Sequence, residues 1–172
     1  MEVMEYGEKV LRSETKKIEI FDQELKDLVS EMFQTCYDEI GVGLAAPQVG
    51  KSIKLFVIST PPEDDPDTDD RSKYFEEVFI NPQIIEKKGS VVGEEGCLSV
   101  PGVYEKVKRA KFVRVKYFDI DGNEKEIEAS GLLSRAIQHE NDHLEGILFV
   151  DRLPGLKREL VKKRLDKEYG LV

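Results

Sequence analysis

The chain has 172 residues, of which 40% are hydrophobic and 35% charged, a composition typical of a globular protein with one core. No apolar run approaches the roughly 18 residues that a membrane helix needs, and the N-terminus carries no apolar signal segment. Two cysteines are too few for a disulfide framework, so we expect a cytoplasmic, single-domain protein spanning residues 1–172. A net charge of −9 argues against sequence-specific or general binding of nucleic acid.

The first elements in the chain are an arm and a helix. Residues 1–20 place short apolar pairs among charges, which predicts an irregular arm lying over the domain. From Asp22 onwards, apolar residues recur at three- and four-residue spacings, and this periodicity predicts a long amphipathic helix. Asp22 is its expected N-cap, and Gly41 lies just past its end. Cys36 falls on the apolar stripe and is therefore expected to be a core residue.

Residues 41–50, GVGLAAPQVG, are mostly small. Small residues permit unusual backbone angles and close approach by another chain. One interpretation is a turn between helix and strand. The other is a loop whose backbone meets a substrate, with Gln48 offering an amide donor. The spacing alone does not choose between them.

The middle of the chain is expected to contain strands and one acidic loop. Residues 54–59 have strand composition, and residues 78–81 and 83–86 are predicted as two short strands broken at Asn81-Pro82. Residues 61–70 carry six acids and three prolines, which predicts a flexible, solvated loop.

A β-hairpin and two helices are expected to complete the fold. Apolar and polar residues alternate in 111–120 and 125–129, on either side of the turn signal Asp121-Gly122, and this pattern predicts the hairpin. A helix with apolar spacing follows, beginning at Ser130 or Gly131, and residues 154–172 predict a basic C-terminal helix. Because the elements show no regular βαβ alternation, we expect an α+β domain with mixed or antiparallel sheets packed on the helix after the hairpin.

That helix contains the only two histidines, His139 and His143, in the sequence HENDH. Residues four apart share one helix face, so both rings can bind one metal ion, and Glu140 can reach a water on that metal. A third protein ligand is then needed. Cys97, flanked by Gly96, is a candidate ligand or nucleophile, and a nucleophilic cysteine would need a free histidine base. Glu159 is the rival third ligand.

Three blocks in order make the chain resemble the peptide deformylases: GVGLAAPQ at 41–48, EGCLS at 95–99 and HENDH at 139–143. The resemblance implies a hydrolase that removes the formyl group from the N-terminal formylmethionine of nascent polypeptides. It also implies one metal ion per chain held by Cys97, His139 and His143. Ferrous iron is expected, and zinc, nickel or cobalt could replace it.

The resemblance further implies roles for residues around the metal. Glu140 would accept a proton from the metal-bound water, which then attacks the formyl carbon, and would return the proton to the leaving amine. Gln48 and the backbone N–H of Leu98 would stabilise the oxyanion. Further residues would bind the substrate through their backbone or line an apolar methionine pocket: Val42, Gly43, Gly96, Leu132, Leu133 and Ala136.

The chain departs from some members of the family at one place and leaves several points open. Val103 and Tyr104 stand where those members have an arginine, so contacts beyond the first substrate residue are not defined. Arg109 is hypothesised to pair with Glu95 or with a peptide carbonyl. A charge-rich helix face is usually only exposed to solvent, and this is one interpretation of the basic C-terminal helix. The second hypothesis is that this helix docks at the ribosomal exit. A zinc endopeptidase that uses Glu159, or a metal-stabilised binding module without catalysis, are the competing functions.

Overall fold

The computed structural model describes the whole chain, Met1–Val172, as seven β-strands and three α-helices. The strands are β1 (Gly43–Ala45), β2 (Leu55–Thr60), β3 (Phe75–Lys88), β4 (Val91–Cys97), β5 (Val100–Arg109), β6 (Phe112–Phe118) and β7 (Glu124–Ser130). The helices are α1 (Gln23–Asp38), α2 (Gly131–Leu144) and α3 (Gly155–Glu168). None of these helices combines the length and the apolar character needed to cross a membrane.

The strands form two separate antiparallel sheets. Five of them follow the order β1-β2-β3-β6-β7, and β4 pairs only with β5. Helix α2, which carries the two histidines, contacts β1, β2, β6 and β7. The predicted α+β fold, with antiparallel sheets around this helix, is therefore confirmed.

Strand β2 is buried at all six positions because a helix covers each of its faces. Successive side chains of a strand point to opposite sides. Leu55 and Val57 pack with residues of α1, whereas Phe56 and Ile58 pack with Ile137 and other residues of α2. Each such side chain contributes about 1.5–3 kcal/mol by leaving water. This double burial fixes the position of α2 on the sheet.

Most local predictions agree with the structure. Asp22 accepts a hydrogen bond from the Leu25 N–H (3.0 Å) as the N-cap of α1, and the hairpin β6–β7 is present. Helix α2 begins at Gly131, whose φ of 58° favours glycine. The N-terminal arm is irregular apart from a short 3-10 helix at Lys9–Arg12, and residues 61–70 contain neither helix nor strand.

The predicted strand break at Asn81-Pro82 is wrong, because β3 runs through it as one strand. Its register with β6 shifts between Ile80 and Gln83, and Asn81 adopts a φ of 49°. The Asn81 side chain donates to the carbonyl of Ile18 and accepts from its N–H, both at 2.8 Å. A β-bulge therefore accommodates the proline, which has no N–H to donate, and the two hydrogen bonds between Asn81 and the N-terminal arm anchor this bulge.

A further difference concerns residues 94–102, for which the sequence predicted no strand. They lie in the hairpin β4–β5, with Cys97 opposite Val100. The sequence of β4, VVGEEGC, lacks the alternation of a half-buried strand, and this is why periodicity did not predict it.

Candidate metal centre and substrate cleft

Helix α2 presents both histidines on one face. The ring centroids of His139 and His143 are 5.2 Å apart, as expected for residues separated by one turn. His143 is 1% exposed, and its Nδ1 has no hydrogen-bond partner. The helix face that holds the two imidazoles is thus closed to bulk water on the His143 side.

Strand β4 delivers the third donor. A register shift between Glu95 and Cys97 bends the end of the strand, as β-bulges do beside active sites. The Cys97 Sγ atom lies 3.3 Å from His143 Nε2. Donor atoms of Cys97, His139 and His143 all fall within 4.8 Å of one another.

This donor set fits a transition metal. Two imidazoles and one thiolate form an N₂S site that leaves one position of a tetrahedron for water. Glu95 Oε2 accepts from His139 Nδ1 at 2.9 Å, which leaves Nε2 available to bind a metal ion. Glu159 is exposed on α3 and is not part of the cluster, so the structure does not support it as the third ligand.

A buried ion network supports the metal centre from behind. The Arg109 guanidinium donates to both carboxylate oxygens of Glu95, at 2.8 and 2.9 Å, and also to Asp142. Arg152 donates to Asp142 at 2.7 Å. Burial alone would raise the pKa of Glu95, but hydrogen bonds from Arg109 and His139 lower it to about 2. Glu95 is therefore ionised when it binds His139.

Glu140 lies in a tight space next to the three donor atoms of Cys97, His139 and His143. Its Oε2 is buried without a hydrogen-bond partner, and burial raises the pKa of its carboxyl to about 7. A Cβ atom on Gly43 would lie 2.8 Å from the Cγ and Oε1 atoms of Glu140. Only glycine at this point of β1 allows the carboxylate to approach the loop so closely.

The side chain of Gln48 has a fixed orientation. Its Oε1 accepts from the backbone N–H of Ala45 at 2.8 Å. The opposite end of the amide, Nε2, donates to the Ser99 hydroxyl at 3.2 Å and lies 3.6 Å from Cys97 Sγ. A neutral hydrogen-bond donor is therefore directed at the candidate metal site.

A cleft of about 490 Å³ opens in front of these groups. The predicted metal ligands, catalytic residues and substrate-binding residues line it except His143, which lies behind, and Leu133, which lies on α2 but packs against the core. The lining includes Val42, Gly43, Gln48, Gly96, Cys97, Leu98, Leu132, Ala136, His139 and Glu140. Tyr104 also lines the cleft and is 67% exposed, with its ring against Gly96.

Sequence reasoning missed three contributors to this site: Ser99, Asp142 and Arg152. Asp142 lies inside the histidine motif, and an acid at that position was the one available signal. Ser99 and Arg152 have no local pattern, because their roles depend on partners that are distant in sequence. The hypothesised pair of Arg109 and Glu95 is present.

Comparison with known proteins identifies the family. The family model described as Polypeptide deformylase matches residues 1–159. Peptide deformylases from Chromobacterium violaceum and Desulfotalea psychrophila are each 45% identical over 167 residues, which cover 97% of this chain and 95% of the relative.

Solved structures agree with the sequence relatives. A peptide deformylase from Legionella pneumophila superposes with a TM-score of 0.83 at 43% identity, covering 98% of this chain and 95% of that one. The peptide deformylase from Thermus thermophilus gives 0.84 at 40% identity, with 97% and 93% covered. A Synechococcus elongatus deformylase in complex with actinonin gives 0.81 at 40% identity, with 96% and 84% covered. The chain therefore belongs to the polypeptide deformylase family, metal-dependent hydrolases that remove the formyl group from N-terminal formylmethionine.

Proposed function

We propose that this chain releases formate from N-formylmethionyl polypeptides, with Cys97, His139 and His143 as metal ligands and Glu140 as the group that moves the proton. The observation that carries this assignment is the unpartnered, buried Oε2 of Glu140 beside the three donor atoms. Burying a carboxylate oxygen without a partner is costly, so a polar atom belongs at that point. A water between Glu140 and the three donor atoms would supply this hydrogen-bond partner to Oε2.

Among the metals that fit an N₂S site, we propose ferrous iron, one per chain, with Zn²⁺, Ni²⁺ or Co²⁺ able to substitute. Thiolate and imidazole are donors that suit all four ions. When bound, the metal supplies a Lewis acid that acidifies water and polarises the formyl oxygen. The exposed route to Cys97 through the cleft also makes this thiolate the group most open to oxidation.

The protein groups divide the chemical work. Glu140 takes a proton from the attacking water and later gives it to the departing amine nitrogen, so that formate and a free amino terminus leave. The Gln48 amide is held by Ala45 with its nitrogen towards the cluster, which supports its role as an oxyanion donor. The backbone N–H of Leu98 is proposed as the second donor.

The peptide is proposed to bind as an added strand. Strand β1 lies at the edge of the five-stranded sheet, and an extended chain can pair with an unpaired edge. The carbonyl of Val42 already accepts a hydrogen bond from the Ser59 N–H (2.9 Å), so it is not free to bind the peptide backbone. Val42 is therefore proposed to contact the peptide through its exposed side chain. Gly43 and Gly96 offer backbone groups, whereas Leu132 and Ala136 form the apolar pocket for methionine.

The chain is further proposed to be a single catalytic domain, residues 1–172, that works in the cytoplasm on chains leaving the ribosome. The basic helix α3 is the proposed docking element. Two of its cations are engaged, because Lys157 pairs with Glu105 and Lys162 pairs with Asp151. Four exposed cations form no ion pair: Arg158, Lys163, Arg164 and Lys167. No other nucleic-acid contact and no membrane contact is proposed.

The role of Glu140 is tested by the substitution Glu140→Gln. Because the amide cannot accept the proton, formate release from a formyl-Met-Ala peptide should fall by about 10²–10⁴-fold. Metal content, measured by elemental analysis, should stay at the wild-type level. Asn141→Ala is the control and should retain turnover. If Glu140→Gln releases formate at the wild-type rate, Glu140 is not the proton acceptor.

The ligand set is tested with the two cysteines of the chain. Cys97→Ala should lose bound metal, since two imidazoles alone hold it weakly. Cys36→Ala should retain it, because Cys36 is fully buried on α1 and burial raises the pKa of its thiol to about 12. Both proteins are prepared anaerobically and analysed for metal per chain. Full metal content in Cys97→Ala would contradict the assignment and return attention to Glu159.

The docking proposal predicts that reversing exposed charges on α3 weakens ribosome association. The double variant Lys163→Glu/Arg164→Glu should co-sediment less with ribosomes, because the acidic ribosomal RNA attracts cations over several ångströms. Its activity on short formylated peptides should be unchanged. The control is Lys87→Glu/Lys116→Glu, which changes the net charge equally on exposed positions of β3 and β6. Equal co-sedimentation of the two variants would refute docking through α3.

A further inference from the structure

Arg135 lies on the face of α2 that lines the cleft. It is one turn before His139, and Leu132, Ala136 and His139 share this face with it at three- and four-residue spacings. Arg135 is half-buried, and it has none of the ion pairs that hold Arg109 in the network behind the metal centre. Its position is therefore set by packing and not by a carboxylate partner.

The packing partner of Arg135 is a glycine of β4. An ideal Cβ atom built on Gly93 would clash with Arg135 Nη1, and it would lie 3.1 Å from Cζ and 3.6 Å from Cδ. The guanidinium therefore occupies the space that any other residue at position 93 would fill with its side chain. The aliphatic stem of Arg135 bridges from α2 to β4, as long basic side chains often do along apolar surfaces.

This bridge separates two hollows. The first is the cleft in front of the metal centre, about 490 Å³, and the second is an open hollow of about 500 Å³ between β4 and the first turn of α2. Arg135, Leu132 and Glu94 line both. The second hollow also contains Val91 and Gly131, and it has no part in the chemistry described above.

We propose that Arg135 is a specificity-determining residue that closes the far end of the methionine pocket. Laid across Gly93, its side chain stops the pocket from opening into the second hollow. Side chains of the length of methionine then fit, and longer linear side chains are excluded. The inference rests on the proposed function, because Leu132 and Ala136 of the same face are assigned to the methionine pocket there.

The Arg135 side chain thus acts as a partition between the two hollows. Removing this partition should change the selectivity for the first side chain of the substrate. Shortening Arg135 joins the two hollows and gives a longer side chain new apolar surface to contact. One methylene in an enzyme pocket changes kcat/KM by about 10–200-fold. The partition should therefore control discrimination between methionine and longer homologues more than it controls the rate with methionine itself.

The test compares two substrates on four proteins. The substrates are a formyl-Met-Ala peptide and its analogue with a linear alkyl side chain two methylene groups longer than that of methionine. In Arg135→Ala the ratio of kcat/KM for the long substrate to that for formyl-Met should rise at least about tenfold over wild type. In Lys87→Ala, which removes an exposed cation from β3, the ratio should stay at the wild-type value.

A second variant reaches the same partition from the other side. Gly93→Ala leaves Arg135 in the chain but displaces the flexible guanidinium, so its ratio should rise in the same direction as in Arg135→Ala. Equal ratios in Arg135→Ala, Gly93→Ala and wild type would overturn the proposal. Wild-type turnover of the formyl-Met peptide tests the deformylase function separately, because Arg135 can fail as a partition while that turnover remains.

Discussion

The buried ion network of Glu95, Arg109 and Asp142 is the interaction on which the rest of the site depends. The proposed metal ligands come from two different parts of the fold: Cys97 from the hairpin β4–β5, and the histidines from α2. Arg109 joins these parts, because it lies on β5 and binds Glu95 of β4 and Asp142 of α2. Removing one partner of a buried pair typically costs about 3–5 kcal/mol.

The same network connects stability to chemistry. Glu95 binds His139 Nδ1 while it is held by Arg109, so the ring is oriented with Nε2 towards Cys97 and His143. Carboxylates in this position fix the tautomer of a metal-bound histidine and raise its basicity. The residues that join the hairpin β4–β5 to α2 therefore also fix the orientation of His139.

Close backbone approach is the second constraint on the site. Gly43 lets β1 lie against Glu140, and Gly96 accepts the ring of Tyr104. Both glycines line the cleft in which the peptide is proposed to bind. A histidine-glutamate motif on a helix is shared with many peptidases, so the reaction depends on what faces the helix. Here the facing groups are the Cys97 sulfur and the fixed amide donor of Gln48, and both line the cleft.

The sequence predicted the elements whose signals are local. Helix periodicity identified α1 and α2, and a turn signal identified the hairpin β6–β7. The resemblance to deformylases implied Cys97 as the third ligand, where spacing alone left Glu159 open, and the structure places its sulfur near both histidines. The passage of β3 through Asn81 was not predictable in this way, since it depends on bonds to Ile18 of the N-terminal arm. Arg152 and the contact of Arg135 with Gly93 likewise depend on distant partners.

The most direct test of this account is the metal affinity of Glu95→Gln, measured against a competing chelator on protein that is verified as folded. Loss of the carboxylate that binds His139 should weaken metal binding by about 10–100-fold. Asp142→Asn is the matched control, because it weakens the same network without removing the group that binds His139, and its metal affinity should fall less than that of Glu95→Gln. Unchanged affinity in Glu95→Gln, or an equal loss in Asp142→Asn, would contradict the claim that Glu95 positions the metal ligand.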